Sequence, residues 1–184
     1  MKKSTIIILV VVAVVALYTW SSYNSLISQN EAVDAQWAKV ETQYQRRFDL
    51  ITNLVNSVKG ILTQEQKVFG DIVDARTKYS GATNANAKAL AAGEVESALS
   101  RLLVIMENYP VLNSYNNVRD LMSQLEGTEN RVGVERSRFN DEVKNYNLTV
   151  KTFPKNLMAK IFGFGERAYF EAKTGAEDAP KVEL

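Results

Sequence analysis

Cysteine and histidine are both absent from the 184 residues, and together these absences exclude more chemistry than any residue present implies. Zinc sites built from Cys and His, thiol nucleophiles, Ser-His-Asp triads and imidazole acid–base catalysis all need side chains that do not occur. Without thiols there is no disulfide and nothing for a lipoprotein anchor to acylate. A surplus of one charge sign is missing too. The 22 basic and 21 acidic residues leave a formal net charge of +1, too little for a surface that neutralises nucleic-acid phosphates. Proline is scarce, at positions 110, 154 and 180, so nothing forces a helix to stop before Tyr109. No stretch of useful length alternates with the two-residue period of a strand.

What is present begins with grease. From Ile6 to Tyr18 the chain reads IIILVVVAVVALY, and the run extends from Thr5 to Tyr23. As a helix it covers roughly 28 Å, close to the ~30 Å hydrocarbon core of a bilayer, where only internally bonded backbone is stable. Residues 5–23 are therefore expected to form a transmembrane helix, with Tyr18, Trp20 and Tyr23 as its aromatic belt. Lys2 and Lys3 precede the run, whereas the next basic residue is Lys39. That bias places a short N-terminus, residues 1–4, in the cytoplasm and the rest beyond the plasma (inner) membrane, on the extracytoplasmic side. A cleaved secretory signal starts the same way, but the best small-residue pattern, Val14-Val15-Ala16, lies inside the apolar run.

Residues then fall at alternating spacings of four and three, most of them apolar: Leu26, Asn30, Val33, Trp37, Val40, Tyr44, Arg47, Ile51, Leu54, Val58, Ile61, Glu65, Val68 and Ile72. This is a heptad seam, and Phe48, Val55, Leu62 and Phe69 widen it to the stripe a multi-helix bundle needs. It predicts one continuous helix from the membrane to about Tyr79, with bending possible at Gly60 and Gly70. The polar stretch 80–86 turns the chain; an Ala-rich helix follows over 87–107 and ends before Pro110. A second seam, Val111 through Val118, Leu125, Val132, Phe139, Val143 and Tyr146 to Phe153, predicts a helix over 112–151 that passes through Gly127, where a break is the alternative. Pro154 opens a short helix, 155–162, closed by Gly163. The expectation is an all-α chain: a transmembrane helix, then an elongated up-and-down antiparallel bundle of three long helices and a short fourth over 24–172, and a flexible polar tail, 173–184.

Four charged residues fall on the seams, Arg47 and Glu65 on the first and Glu129 and Arg136 on the second. An unpaired buried charge costs several kcal/mol, so these either pair across helices and fix register or line a polar groove for a partner. Asp71 with Asp74, and Glu94 with Glu96, are the carboxylate pairs a metal would need, but no partner ligands stand out, and solvated helix faces explain them. No cofactor site is expected. The block FPKNLMAKIFGFGERAYF interleaves Phe162, Phe164, Tyr169 and Phe170 with Lys155, Lys160 and Arg167. It suits a cap on the bundle core or a contact with partner or lipid headgroups.

An ordered set of residues resembles the LemA family of bacterial membrane proteins: Tyr23-Asn24; Glu31, Val33 and Trp37; Arg46-Arg47, Asp49-Leu50-Ile51 and Asn53-Leu54-Val55; Val58-Lys59-Gly60; Ala75-Arg76; Glu107-Asn108-Tyr109-Pro110; Leu125 through Asn130; Tyr146-Asn147; Phe153-Pro154; Phe162-Gly163-Phe164; and Tyr169-Phe170. The resemblance implies a single-pass protein with a bromodomain-like four-helix bundle, and it implies no defined activity. Thr52 departs from the pattern, which commonly has proline there. Some relatives resemble magnetosome-membrane formation proteins, and others accompany membrane metalloproteases. The expected function is a non-enzymatic scaffold in contact with the lipid bilayer, binding membrane or extracytoplasmic proteins or further copies of itself, and not nucleic acid. The alternative is a membrane-shaping factor that organises lipid through the aromatic block.

Overall fold

The computed structural model describes residues 3–170, whose regular structure is entirely helical. In order these are α1 (Lys3–Val58), α2 (Gln66–Gly81), α3 (Ala85–Glu107), a 3-10 turn (Pro110–Ser114), α4 (Asn116–Lys151) and α5 (Lys155–Phe162). They divide into two compact units. Unit 1 holds residues 3–37 of α1 together with 138–169, and unit 2 holds 38–137 with Phe170. The expected N-terminal segment through Lys2 and the tail from 173 lie outside the described residues.

In unit 2, residues 38–58 of α1 bury Val40, Tyr44, Arg47, Ile51, Leu54 and Val58, the positions the first seam predicts. The helix then stops, contrary to the expectation of continuity to Tyr79. The cause is local: past Val58 the amides of Ile61 and Leu62 both turn back to the Val58 carbonyl, at 2.9 and 3.0 Å. Gly60, the poorest helix former after proline, sits in this turn, and Leu62 is fully buried by it. The interruption, residues 59–65, is one heptad long, so the seam resumes in phase at Val68 and Ile72.

With the first helix divided, the bundle of unit 2 has four members. Arg76 of α2 donates to Thr52 Oγ1 at 2.7 Å and Tyr79 meets Phe48 and Tyr44, so α2 runs antiparallel to α1. Lys78 with Glu94 and Asp71 with Arg101 make α3 antiparallel to α2. Glu96 with Arg136 brings in α4, which also pairs with α1 through Arg47. This is an up-and-down antiparallel bundle, as expected, except that its fourth helix is α2 and not the short α5. Asn84 caps α3 by accepting from the Ala87 amide at 2.8 Å, which starts that helix two residues early. Pro110 begins a 3-10 turn that inserts Leu112 into the core, so α4 starts at Asn116 and not at Leu112. α4 passes through Gly127 unbroken.

Unit 1 has a smaller core. Leu26 and Val33 of α1 are buried, with Phe139, Val143 and Tyr146 of α4 and Ala159 of α5; Trp37 meets Phe139 edge-on at 5.1 Å. The Phe153–Pro154 bond at the α4–α5 corner is cis, and Gly163 ends α5 in the left-handed region at φ 77°, a conformation glycine adopts without a Cβ penalty. The segment after it is strapped down. Tyr146 donates its hydroxyl to the Gly165 carbonyl at 3.0 Å, while the Asn147 amide side chain both donates to the Arg167 carbonyl and accepts from its N–H, each at 2.8 Å.

Candidate functional site

Among the described residues one helix, α1, is long and apolar enough near its N-terminus to cross a membrane, and none of that window is buried. Ile6 through Leu17 carry exposed apolar side chains with nothing packed on them. Water solvates such a surface poorly and lipid covers it at no polar cost. Lys3 is exposed at its start; Tyr18, Trp20 and Tyr23 are exposed at its end.

Tyr23 is where the anchor meets the C-terminal aromatic block. Its ring lies 4.8 Å from that of Phe162 and 6.1 Å from that of Phe164. Lys155, at the other end of α5, donates to Ser25 Oγ at 3.0 Å. Arg167 donates to Asn30 Oδ1 at 3.2 Å and pairs with Asp34. Tyr169 stays exposed, whereas Phe170 belongs to unit 2, where it is buried under the Arg136 guanidinium at 4.6 Å. Within unit 1, Phe162 and Phe164 pack on Tyr23 beside the anchor; within unit 2, Phe170 is buried.

Of the four seam charges, the structure brings together Arg47 and Glu129. Arg47 is buried and donates to the Leu125 carbonyl at 3.2 Å, with Thr128 Oγ1 at 3.5 Å and Glu129 at 3.7 Å. Glu129 itself is solvated. Arg47 thus sits closer to a backbone carbonyl, which also accepts from the Thr128 hydroxyl at 2.7 Å, than to the carboxylate. Arg136 pairs with Glu96 at 3.1 Å, donates to the Tyr44 hydroxyl and stacks on the Tyr44 ring at 5.2 Å. Burial pushes the Tyr44 phenol up to about 12, against the pull of Arg136, and burial with Glu41 nearby raises Tyr79 as well. Glu65 is a correction: it lies in the turn before α2, half-buried, and on no helical seam.

An open groove of about 1150 Å³ runs between α2 and α3. Ala89, Gly93 and Ser97 face it and Leu90 is largely exposed beside it, with Arg136 and Phe170 at one side. Lys78–Glu94 and Arg101–Asp71 pairs bridge its two walls, at 2.7 and 3.1 Å. Three of the four carboxylates considered for a metal are thus engaged by cations. Among the described residues no three Asp or Glu converge on a point a metal could occupy. No sequence pattern joins Tyr44, Arg136 and Glu96; the one signal is a tyrosine on a buried seam, whose hydroxyl needs a partner.

The LemA family profile matches residues 36–184, most of the chain and all of unit 2. The chain belongs to the LemA family. Similar proteins include two copies of magnetosome protein MamQ from Paramagnetospirillum magneticum, each 28% identical over 186 aligned residues, covering 87% of this chain and 68% of the relative. MamQ of Magnetospirillum gryphiswaldense is 27% identical with the same coverage. The LemA profile begins just before the end of unit 1's share of α1, leaving the apolar run outside it. The exposed apolar run makes this LemA chain a membrane-associated helical protein.

Proposed function

We propose that this LemA protein is a non-enzymatic scaffold, anchored in the plasma (inner) membrane by residues 5–23, that presents its four-helix bundle to protein partners or to further copies of itself. Its N-terminus faces the cytoplasm and the bundle the extracytoplasmic side, following the Lys2 and Lys3 bias. The observation that carries the reading is that one unbroken helix, α1, supplies both the exposed apolar run and a core helix of the bundle. The α2–α3 groove, floored by small side chains and edged by Leu90, supplies a face of the shape a helix or extended segment takes. A photo-crosslinker on Leu90→Cys in native membranes is expected to give discrete adducts that a crosslinker on Val134→Cys does not. Monomer alone at both positions would count against the scaffold.

The second reading, a lipid-organising factor, draws on the packing of Phe162 and Phe164 against Tyr23. It differs in its partner, which is the bilayer itself. Deleting residues 153–170 would then alter membrane morphology in cells expressing the protein, and unchanged morphology would remove it.

A further inference from the structure

α5 is built the wrong way round for a helix that faces water. It buries Ala159 against unit 1, and on the opposite side it exposes Leu157 and Ile161, the latter at 69%. A solvated surface helix carries its polar residues there. Phe153, just before α5, is 74% exposed, and Lys160 flanks the apolar face. Apolar residues outward with lysine beside them is the composition of a helix lying in a membrane interface.

The position of α5 along α1 supplies the covering phase. Both of its ends meet α1 within a single turn, Phe162 at Tyr23 and Lys155 at Ser25, so α5 lies across α1 at that level. Tyr23 is five residues beyond Tyr18, the end of the apolar run, which is roughly 7 Å along the helix. The interfacial layer on each side of a bilayer is about 5–7 Å thick. α5 therefore lies about one interfacial thickness beyond the end of the apolar run.

We propose that α5 is a second membrane contact, lying in the plane of the bilayer beside the anchor with Leu157 and Ile161 buried at the boundary between headgroups and acyl chains. The inference rests on the anchor reading of residues 5–23. It adds that unit 1 touches lipid through its C-terminal part, which would hold the protein at a fixed depth and limit its rotation about α1.

The absence of native cysteine makes the test direct. Full-length protein carrying bimane on a single introduced thiol, at Val12→Cys, Val134→Cys or Ile161→Cys, is reconstituted into phosphatidylcholine vesicles with or without bromine near the top of the acyl chains. The label at 161 is expected to be quenched several-fold more by the brominated lipid than the label at 134, and to be shielded from aqueous iodide. Equal behaviour at 161 and 134 overturns the proposal. So does efficient disulfide dimerisation through Ile161→Cys, which would assign the face to a second copy. The label at 12 reports the anchor separately: shielded from iodide at 12 but exposed at 161, the anchor reading stands and the α5 proposal falls, whereas iodide access at 12 removes the anchor itself.

Discussion

Unit 1 and unit 2 are made partly from the same two helices, yet they treat apolar side chains in opposite ways. Unit 2 buries most of the large apolar residues of its four helices and shows water a surface of Lys, Arg, Asp and Glu, many of them paired. Unit 1 buries a short row around Leu26, Val33, Phe139 and Tyr146 and leaves exposed Ile6 through Leu17, Trp20, Leu157 and Ile161. The hydrophobic effect completes the first arrangement in water. The second is complete only against another apolar phase. The contrast separates a unit whose apolar surface is left open from one whose apolar side chains are mostly buried.

The contrast breaks most readily at Phe139. This residue is 2% exposed and packs on Trp37 in the sparse core of unit 1; truncating a buried Phe costs about 3–5 kcal/mol. Phe139→Ala is expected to abolish slow hydrogen exchange over 138–169 while residues 66–107 keep theirs. Equal loss in both regions would show that the two units melt as one.

Tyr44 gives unit 2 a titration of its own. Its hydroxyl accepts from Arg136 in a buried site, and Tyr44→Phe is expected to lower stability by about 1 kcal/mol. The folded phenol is raised to about 12 from an ordinary value of 10.0, so the neutral form is the one the fold favours. That contribution is whole below pH 10 and is lost as pH rises through 12. Denaturation midpoints of the wild type should fall over this interval and those of Tyr44→Phe should fall less. Because Tyr79 is shifted the same way, adding Tyr79→Phe should flatten the profile further.

Two glycines sharpen the comparison with opposite signs. Gly163 in unit 1 has φ 77°, so Gly163→Ala is expected to destabilise by about 1 kcal/mol. Gly60 in unit 2 has no positive φ, and an added Cβ meets nothing within 4 Å. Gly60→Ala should therefore stabilise by about 0.4–1 kcal/mol through the unfolded chain. Thermal melts of the two variants check both. The smallest effect is expected at Arg47. Its carboxylate partner is solvated, so Arg47→Leu strands no buried charge and should change stability by less than about 1 kcal/mol. Crosslinking from Leu90→Cys should survive it if Arg47 serves register alone, and weaken if the residue also shapes the partner face.

Much of this was legible in the sequence because it rests on local periodicity. The apolar run of α1, the seam from Leu26 to Val58 and the second seam through Leu125, Val132 and Phe139 are each set by spacing along one helix. The turn at 59–65 was hidden by its own length: seven residues preserve a heptad phase, so the pattern of Ile61, Val68 and Ile72 looks the same with or without a break. Spacing alone puts Glu65 on the seam for that reason. The pairing of Arg47 with a carbonyl of α4, the meeting of Tyr44 with Arg136 and Glu96, and the burial of Phe170 under Arg136 depend on residues far apart in the chain, and no local pattern encodes them.

In the proposed arrangement residues 5–23 sit in lipid while the bundle stands in water on the extracytoplasmic side. Single thiols at Val12→Cys and Val134→Cys, exposed to a membrane-impermeant maleimide with the outer face of the plasma membrane accessible, test it most directly. Rapid labelling at 134 and none at 12 is the expected result. Labelling at 12, or labelling at 134 only after the membrane is broken, would contradict it.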